Sequence, residues 1–168
     1  QARAWIDAGR QPMTVAVNIS AAEFRDRHFL DHVCAALKDS RLEPRYLELE
    51  LTEGSLMQRA ESTTLVLQML KDMGVQIAID DFGTGYSSLS YLRQFPIDVL
   101  KVDQSFVHEI SADPAGNSIV CAVISMGKTL GRRVVAEGVE TAEQLAFLKQ
   151  HHCTEAQGHY FSEAIAAA

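Results

Sequence analysis

The chain has 168 residues, and its 15 Lys and Arg against 22 Asp and Glu give a formal net charge of −7 at pH 7. That sign excludes a nucleic-acid binder driven by counterion release, which needs a basic surface, and no apolar run approaches the roughly 20 residues that span a bilayer. With 47% hydrophobic and 22% charged residues, ten Gly and four Pro, the composition predicts one globular domain without disorder bias.

In chain order, Gln1-Ala-Arg-Ala-Trp5-Ile6 reads as the middle of an amphipathic helix that lacks an N-cap. Met13 to Ile19 predicts the first strand. Ser20-Ala-Ala-Glu23 behind it is a capping box, followed by a helical face of Phe29, Val33, Ala36 and Leu37. Tyr46 to Leu51 predicts a second strand. A helix carrying Leu67, Met69, Leu70 and Met73 in its apolar stripe stops at Gly74, a left-handed cap residue. Val75 to Ile79 is the third strand, and Ser87 to Arg93 allows only two helical turns before the fourth, Val99 to Val102. Pro114 suits the first turn of a helix that bears Ile119, Val120, Val123, Ile124, Met126 and Leu130 and ends at Gly131. Arg133 to Ala136 is the fifth strand. Thr141-Ala-Glu-Gln144 is a second capping box leading to Leu145 and Leu148, and Gln157 to Phe161 predicts the sixth strand. His151-His152-Cys153 reads as that helix's terminus, because adjacent His side chains seldom share an ion. Cys34, Cys121 and Cys153 lie far apart and outside any C-x-x-C pattern, which fits a reducing cytoplasm.

Nearly continuous apolar strands joined by helices predict an α/β fold with a parallel sheet. A doubly wound sheet needs a glycine-rich loop after its first strand, but Val17-Asn18-Ile19-Ser20 has no glycine. A TIM-type (β/α)8 barrel fits better. At about 28 residues per strand unit, the chain supplies six of eight strands, and the first two are expected to lie outside it, on the N-terminal side.

Polar groups close these strands. Asn18 follows the first, Glu50 and Glu53 the second, Asp80 and Asp81 the third, Lys101 and Asp103 the fourth, Glu137 and Glu140 the fifth, while Gln157 starts the last apolar run. At the C-terminal rim of a barrel such residues face one mouth. Carboxylates with an amide carbonyl form a hard oxygen set suited to Mg²⁺ or Mn²⁺, and adjacent aspartates serve two neighbouring ions. Divalent ions would also let an acidic protein hold an anionic phosphate, with Lys101 as a fixed cation. A single strand-end carboxylate is more often a helix cap, and Asp103 before Gln104-Ser105-Phe106 is equally suited to capping. Glu53 and Glu140 are as suited to supporting ion pairs as to direct ligation. In Asp81-Phe82-Gly83-Thr84-Gly85-Tyr86-Ser87-Ser88 the glycines and serines serve backbone angles and caps, or else a mobile loop that ties the aspartates to the site.

At these residues the sequence resembles the EAL-domain family, bacterial phosphodiesterases that hydrolyse cyclic di-GMP. The resemblance is carried, in the family's order, by Val17-Asn-Ile-Ser20, Glu48-Leu-Glu-Leu-Thr-Glu53, Asp80-Asp-Phe-Gly-Thr-Gly-Tyr-Ser-Ser-Leu89, Leu100-Lys-Val-Asp103, Val135-Ala-Glu-Gly-Val-Glu140 and Gln157-Gly158. It implies a barrel that binds two Mg²⁺ or Mn²⁺ ions and opens one phosphodiester of cyclic di-GMP to give linear pGpG. By position, Asn18, Glu50, Asp80 and Asp81 resemble metal ligands, and Lys101 and Asp103 resemble groups that contact the metal-bound water and the second ion. Glu137 resembles the proposed general base or, in other readings of the family, a metal-site partner, and Gln157 resembles a residue lining the same site. Glu53 resembles the anchor of the loop running through Phe82, Gly83, Thr84 and Gly85 to Ser88, a loop that also makes dimer contacts. The resemblance further implies a homodimer and a flanking sensory or GGDEF domain in the parent protein, while the acidic charge argues against a DNA or RNA polymer as partner and the cysteine pattern against an oxidising compartment, so a cytoplasmic domain is expected, compatible with a membrane-anchored parent.

Residues 1–168 then make a partial EAL domain, since the signature Glu-Ala-Leu, whose glutamate is a metal ligand, is not among them. Gly54 stands where serine is common, and Glu163-Ala164 replaces a basic or polar residue followed by proline. Two other functions compete. Some family members have lost catalysis and act as cyclic di-GMP receptors or interaction domains, whereas the retained oxygen cluster favours the enzyme. Without the resemblance, an acidic barrel is also compatible with a glycosidase using two carboxylates about 5 to 9.5 Å apart, which needs no metal.

Overall fold

The computed structural model describes residues 1–57, 60–85, 89–110 and 114–166. Its strands are β1 (Val15–Ile19), β2 (Leu47–Thr52), β3 (Gln76–Phe82), β4 (Val99–Val102), β5 (Arg133–Ala136) and β6 (Glu155–Ala156), forming one sheet in the order β1-β2-β3-β4-β5-β6. Every neighbouring pair is parallel. The order never reverses, so the switch point of a doubly wound sheet is absent among the described residues, and the series is that of a TIM-type barrel wall.

The helices are α1 (Ala2–Asp7), α2 (Ala21–Phe24), α3 (Phe29–Ser40), α4 (Glu53–Met57), α5 (Ala60–Met73), α6 (Leu89–Gln94), α7 (Gln104–His108), α8 (Pro114–Thr129) and α9 (Ala142–Gln150). Both capping boxes form: Ser20 and Glu23 close α2, and Thr141 and Gln144 close α9. Period-two alternation sets the two faces of the sheet. Leu49, Leu51, Ile77, Ile79, Leu100 and Val134 are buried on the helix side against Leu67 and Leu70 of α5 and Val120, Val123 and Ile124 of α8. Glu48 and Glu50, in antiphase on β2, occupy the other face.

The structure corrects several expected details. The sixth strand is Glu155–Ala156, and residues 158–161 form a turn. Gly158 (φ +153°) explains the break, since a Cβ there would stand 2.3 Å from the Val139 backbone nitrogen. The helical face expected after Ser20 splits into α2 and α3, with Phe29 and Val33 buried but Ala36 exposed. Met69 leaves the apolar stripe of α5 and is 54% exposed, whereas Met73 and Met126 lie against the core. Tyr86, Ser87 and Ser88 of the expected loop fall outside the described residues. Among the described residues no helix is long and apolar enough to cross a membrane.

Candidate active site

Lys101 organises the inner face of the sheet. It is 4% exposed, and its Nζ lies 2.7 Å from Glu137 Oε1, 2.8 Å from Glu50 Oε1 and 3.0 Å from Asp80 Oδ1. One ammonium on β4 thus joins carboxylates from β2, β3 and the end of β5. Asn18 completes the row from β1: with its nitrogen toward the carboxylates, it donates to Glu50 Oε2 at 3.2 Å and to Asp80 Oδ2 at 3.3 Å. The same amide turned over would offer its oxygen to a cation.

Adjacent residues in a regular strand point to opposite faces, so Asp80 and Asp81 need a backbone irregularity to act together. Two features supply it. The β3–β4 register shifts between Ile79 and Phe82, and Asp81 adopts φ 52°. The Asp81 N–H donates to Asp80 Oδ1 at 3.1 Å, and the Thr84 hydroxyl donates to the Asp81 carbonyl at 2.9 Å. Oxygens of Asp80, Asp81 and Glu137 then fall within 4.8 Å of one another. Beyond them, the Gly83 N–H donates to Oε2 of buried Glu53 at 3.2 Å, tying the start of the loop to α4. Gly85 passes close to the same carboxylate, 3.4 Å from where its Cβ would stand.

Asp103 caps α7 by accepting the Ser105 N–H at 2.9 Å and the Ser105 hydroxyl, and its charge acts on Asp81. Glu137 continues β5, its N–H donating to the Val102 carbonyl at 3.2 Å. Gln157 follows β6 directly and so stands at a strand end, not at the start of a strand; its Nε2 donates to Glu137 Oε1 at 2.6 Å. Glu140 does not join this group. Its carboxylate is half exposed and 3.6 Å from His108 Nε2 on α7.

Burial and neighbouring charge set the protonation states. Burial opposes the charge on Lys101, but the hydrogen bonds it donates to Glu137, Glu50 and Asp80 outweigh this and raise its pKa above the lysine range. Burial raises Glu137 above the usual carboxylate range, with Asp80 adding to the rise and Lys101 only partly offsetting it. Asp81 is raised by burial and then by Asp80 and Asp103. Burial also acts on Asp103, yet its bonds from Ser105 bring it below the usual range. Around Lys101 the donors are all oxygen, and the carboxylates of Glu50, Asp80, Asp81 and Glu137 outnumber the single ammonium. This is the donor set and charge excess that a hard divalent cation fits.

Sequence reasoning missed a second polar layer on the same face. Arg133, at the start of β5, reaches Glu48 at 2.6 Å, Gln76 at 2.8 Å and Glu155 at 3.0 Å. The available signal was polar residues at inward positions two before Glu50 and four before Glu137, where attention to strand ends passed over them.

The EAL domain profile matches residues 1–164. The cyclic di-GMP phosphodiesterase NbdA of Pseudomonas aeruginosa is 46% identical over 158 residues, which is 94% of this chain and 20% of that protein. Among solved structures, the PaMucR phosphodiesterase in complex with c-di-GMP, from Pseudomonas aeruginosa, superposes with a TM-score of 0.93 at 43% identity, covering 96% of this chain and 65% of that one. The Klebsiella pneumoniae BlrP1 manganese/c-di-GMP complex gives a TM-score of 0.82 at 33% identity, covering 89% and 38%. The chain therefore spans about a fifth of the length of the curated relative NbdA.

Proposed function

The chain belongs to the EAL domain family, and on that premise we propose that its strand-end carboxylates form the centre of a metal-dependent phosphodiesterase that opens cyclic di-GMP to linear pGpG. One observation carries the reading: a buried lysine held among Glu50, Asp80 and Glu137, beside a set of Asp80, Asp81 and Glu137 oxygens close enough to share a cation.

Asn18, Glu50, Asp80 and Asp81 would hold two Mg²⁺ or Mn²⁺ ions. Such ions lower the pKa of water and offset charge on the phosphoryl oxygens. The protein's own groups do the rest. Glu137, one oxygen fixed by Lys101 and Gln157, accepts a proton from the water whose oxygen bonds to phosphorus while the P–O bond to the leaving oxygen breaks, and that oxygen takes up a proton from solvent. Lys101 stays charged and keeps three carboxylates from separating. Asp103, beside Asp81, would face the second ion, and Glu53, through the Gly83 N–H, holds the loop from Phe82 through Gly83, Thr84 and Gly85. Glu140 takes a supporting place on the rim, next to α7.

The barrel is completed by two further strands between β1 and β6, each of which pairs on one side only among the described residues. In its parent protein the domain acts in the cytoplasm, as a homodimer and beside a sensory or GGDEF domain.

The test uses the polypeptide that contains this chain in its full natural sequence, with cyclic di-GMP and Mg²⁺ or Mn²⁺, and chromatography of the nucleotide products. Hydrolysis to pGpG that EDTA abolishes is expected. Turnover surviving EDTA would overturn the metal-dependent reading, and tight binding without turnover in saturating metal would make the protein a receptor.

A further inference from the structure

We propose that Arg133 is a positioning residue for this centre: by holding Glu48 and Glu155, it leaves Lys101 committed to Glu50, Asp80 and Glu137. The turnover part of the inference rests on the functional reading above, whereas its effect on metal binding does not.

The guanidinium donates from Nη2 to Glu48 Oε2 at 2.6 Å and Gln76 Oε1 at 2.8 Å, and from Nη1 to Glu155 Oε2 at 3.0 Å. Its partners come from β2, β3 and β6, so one side chain on β5 links four strands of the inner face. Glu48 stands two residues before Glu50 on β2, about 6.6 Å toward the strand's N-terminal end. The inner face therefore carries two ionic layers, Lys101 with its carboxylates and Arg133 with its own. Both line one cavity of about 240 Å³, to which Glu50, Lys101 and Gln157 contribute from one layer and Glu48, Arg133 and Glu155 from the other.

Glu48 is 8% exposed, and a carboxylate that far from water is unfavourable without a counter-charge. If Arg133 were absent, the cation available along that cavity would be Lys101, an ammonium on a flexible four-carbon stem. Any turn of Nζ toward Glu48 lengthens its bonds to Asp80 and Glu137 and loosens the metal-binding oxygens. An arginine suits this place because its planar fork serves three acceptors at once.

Arg133→Met, Glu48→Gln and the double variant are to be compared in the full natural polypeptide by Mn²⁺ titration calorimetry and by cyclic di-GMP turnover. Arg133→Met is expected to weaken Mn²⁺ binding and lower kcat at least fivefold with KM within twofold, and adding Glu48→Gln is expected to return both to within twofold of wild type. An Arg133→Met variant with unchanged Mn²⁺ affinity, or a folded double variant as impaired as Arg133→Met alone, overturns the proposal. Should Arg133→Met fail to fold, Arg133→Gln, which can still hydrogen-bond Glu48 but carries no charge, takes its place: Mn²⁺ binding is expected to weaken at least twofold, and an unchanged Mn²⁺ affinity overturns the proposal. A wild type that binds Mn²⁺ but leaves cyclic di-GMP intact defeats the functional reading while the calorimetric cycle still decides the role of Arg133. A wild type that binds no Mn²⁺ defeats both.

Discussion

Glu137 is where the local chemistry admits two roles, because its carboxylate lies within ligand distance of Asp80 and Asp81 and is also held by Lys101 and Gln157 as a proton acceptor would be. The roles differ in what a neutral isostere does. As a general base, Glu137→Gln lowers kcat by roughly 10² to 10⁴ with little change in substrate Kd or in Mn²⁺ affinity. As a ligand, the same change weakens ion binding, and activity returns at high Mn²⁺. The base is expected, and calorimetric Mn²⁺ titration decides. The pH profile gives a second reading. In the metal-free protein burial raises the Glu137 pKa above that of an ordinary glutamate, and divalent ions bound beside it act in the opposite direction. The acid limb of the rate should therefore move to lower pH as Mn²⁺ occupancy rises, and Glu137→Gln should flatten it. Asp80 differs, since it bonds Lys101 and the Asp81 N–H at once. Asp80→Asn should cost at least about 10²-fold in turnover through loss of ion occupancy, so activity should recover partly at high Mn²⁺.

At the scale of elements, local chemistry made most of the fold legible. Strand residues 99–102 and 133–136 lie where their β-branched runs predict, and α5 and α8 stop before Gly74 and Gly131, both at positive φ. What failed was set by tertiary contacts. The run after Gln157 has the composition of a strand, yet Gly158 sits against the Val139 backbone and turns the chain, so β6 is only the two residues before Gln157. Asp81's positive φ is likewise unreadable from its neighbours, although it is what joins the aspartate pair. Contact at element scale is testable at Gly127 of α8, where a Cβ would lie 2.2 Å from Val134 Cγ2 on β5. Alanine there gains about 1 kcal/mol of helix propensity, but Val134 is stiff and buried, and overpacking costs typically about 1–3 kcal/mol. Gly127→Ala should therefore be destabilising in urea unfolding, and Val134→Ala added to it should cost less than it does alone. A stabilised Gly127→Ala variant would show that α8 and β5 are not in such close contact.

At the scale of the whole molecule, the sheet among the described residues has two edges that pair on one side only. β1 pairs only with β2 and β6 only with β5 among the described residues. Residues 16–18 of β1 are exposed, although this strand supplies Asn18 to the site. Outside β1 runs an apolar groove of about 270 Å³ lined by Val17, Ile19, Phe29, Val33, Leu47 and Leu49. Unpaired strand groups beside exposed apolar surface are a template for another chain, and a barrel wall without closure lacks the pairing that removes such edges. A polypeptide of these 168 residues alone should therefore self-associate, its sedimentation coefficient rising with concentration and its melt broadening with loss of cooperativity. The site should suffer along with the edge, because β1 holds Asn18 only through its pairing with β2, where Asn18 lies in register with Glu50. On the proposed closure by two further strands, Mn²⁺ affinity should be weaker in the isolated chain than in a polypeptide that supplies those strands. A sharp, cooperative melt of a verified monomer with undiminished Mn²⁺ affinity would show that six strands suffice, and that neither fold nor site depends on closure.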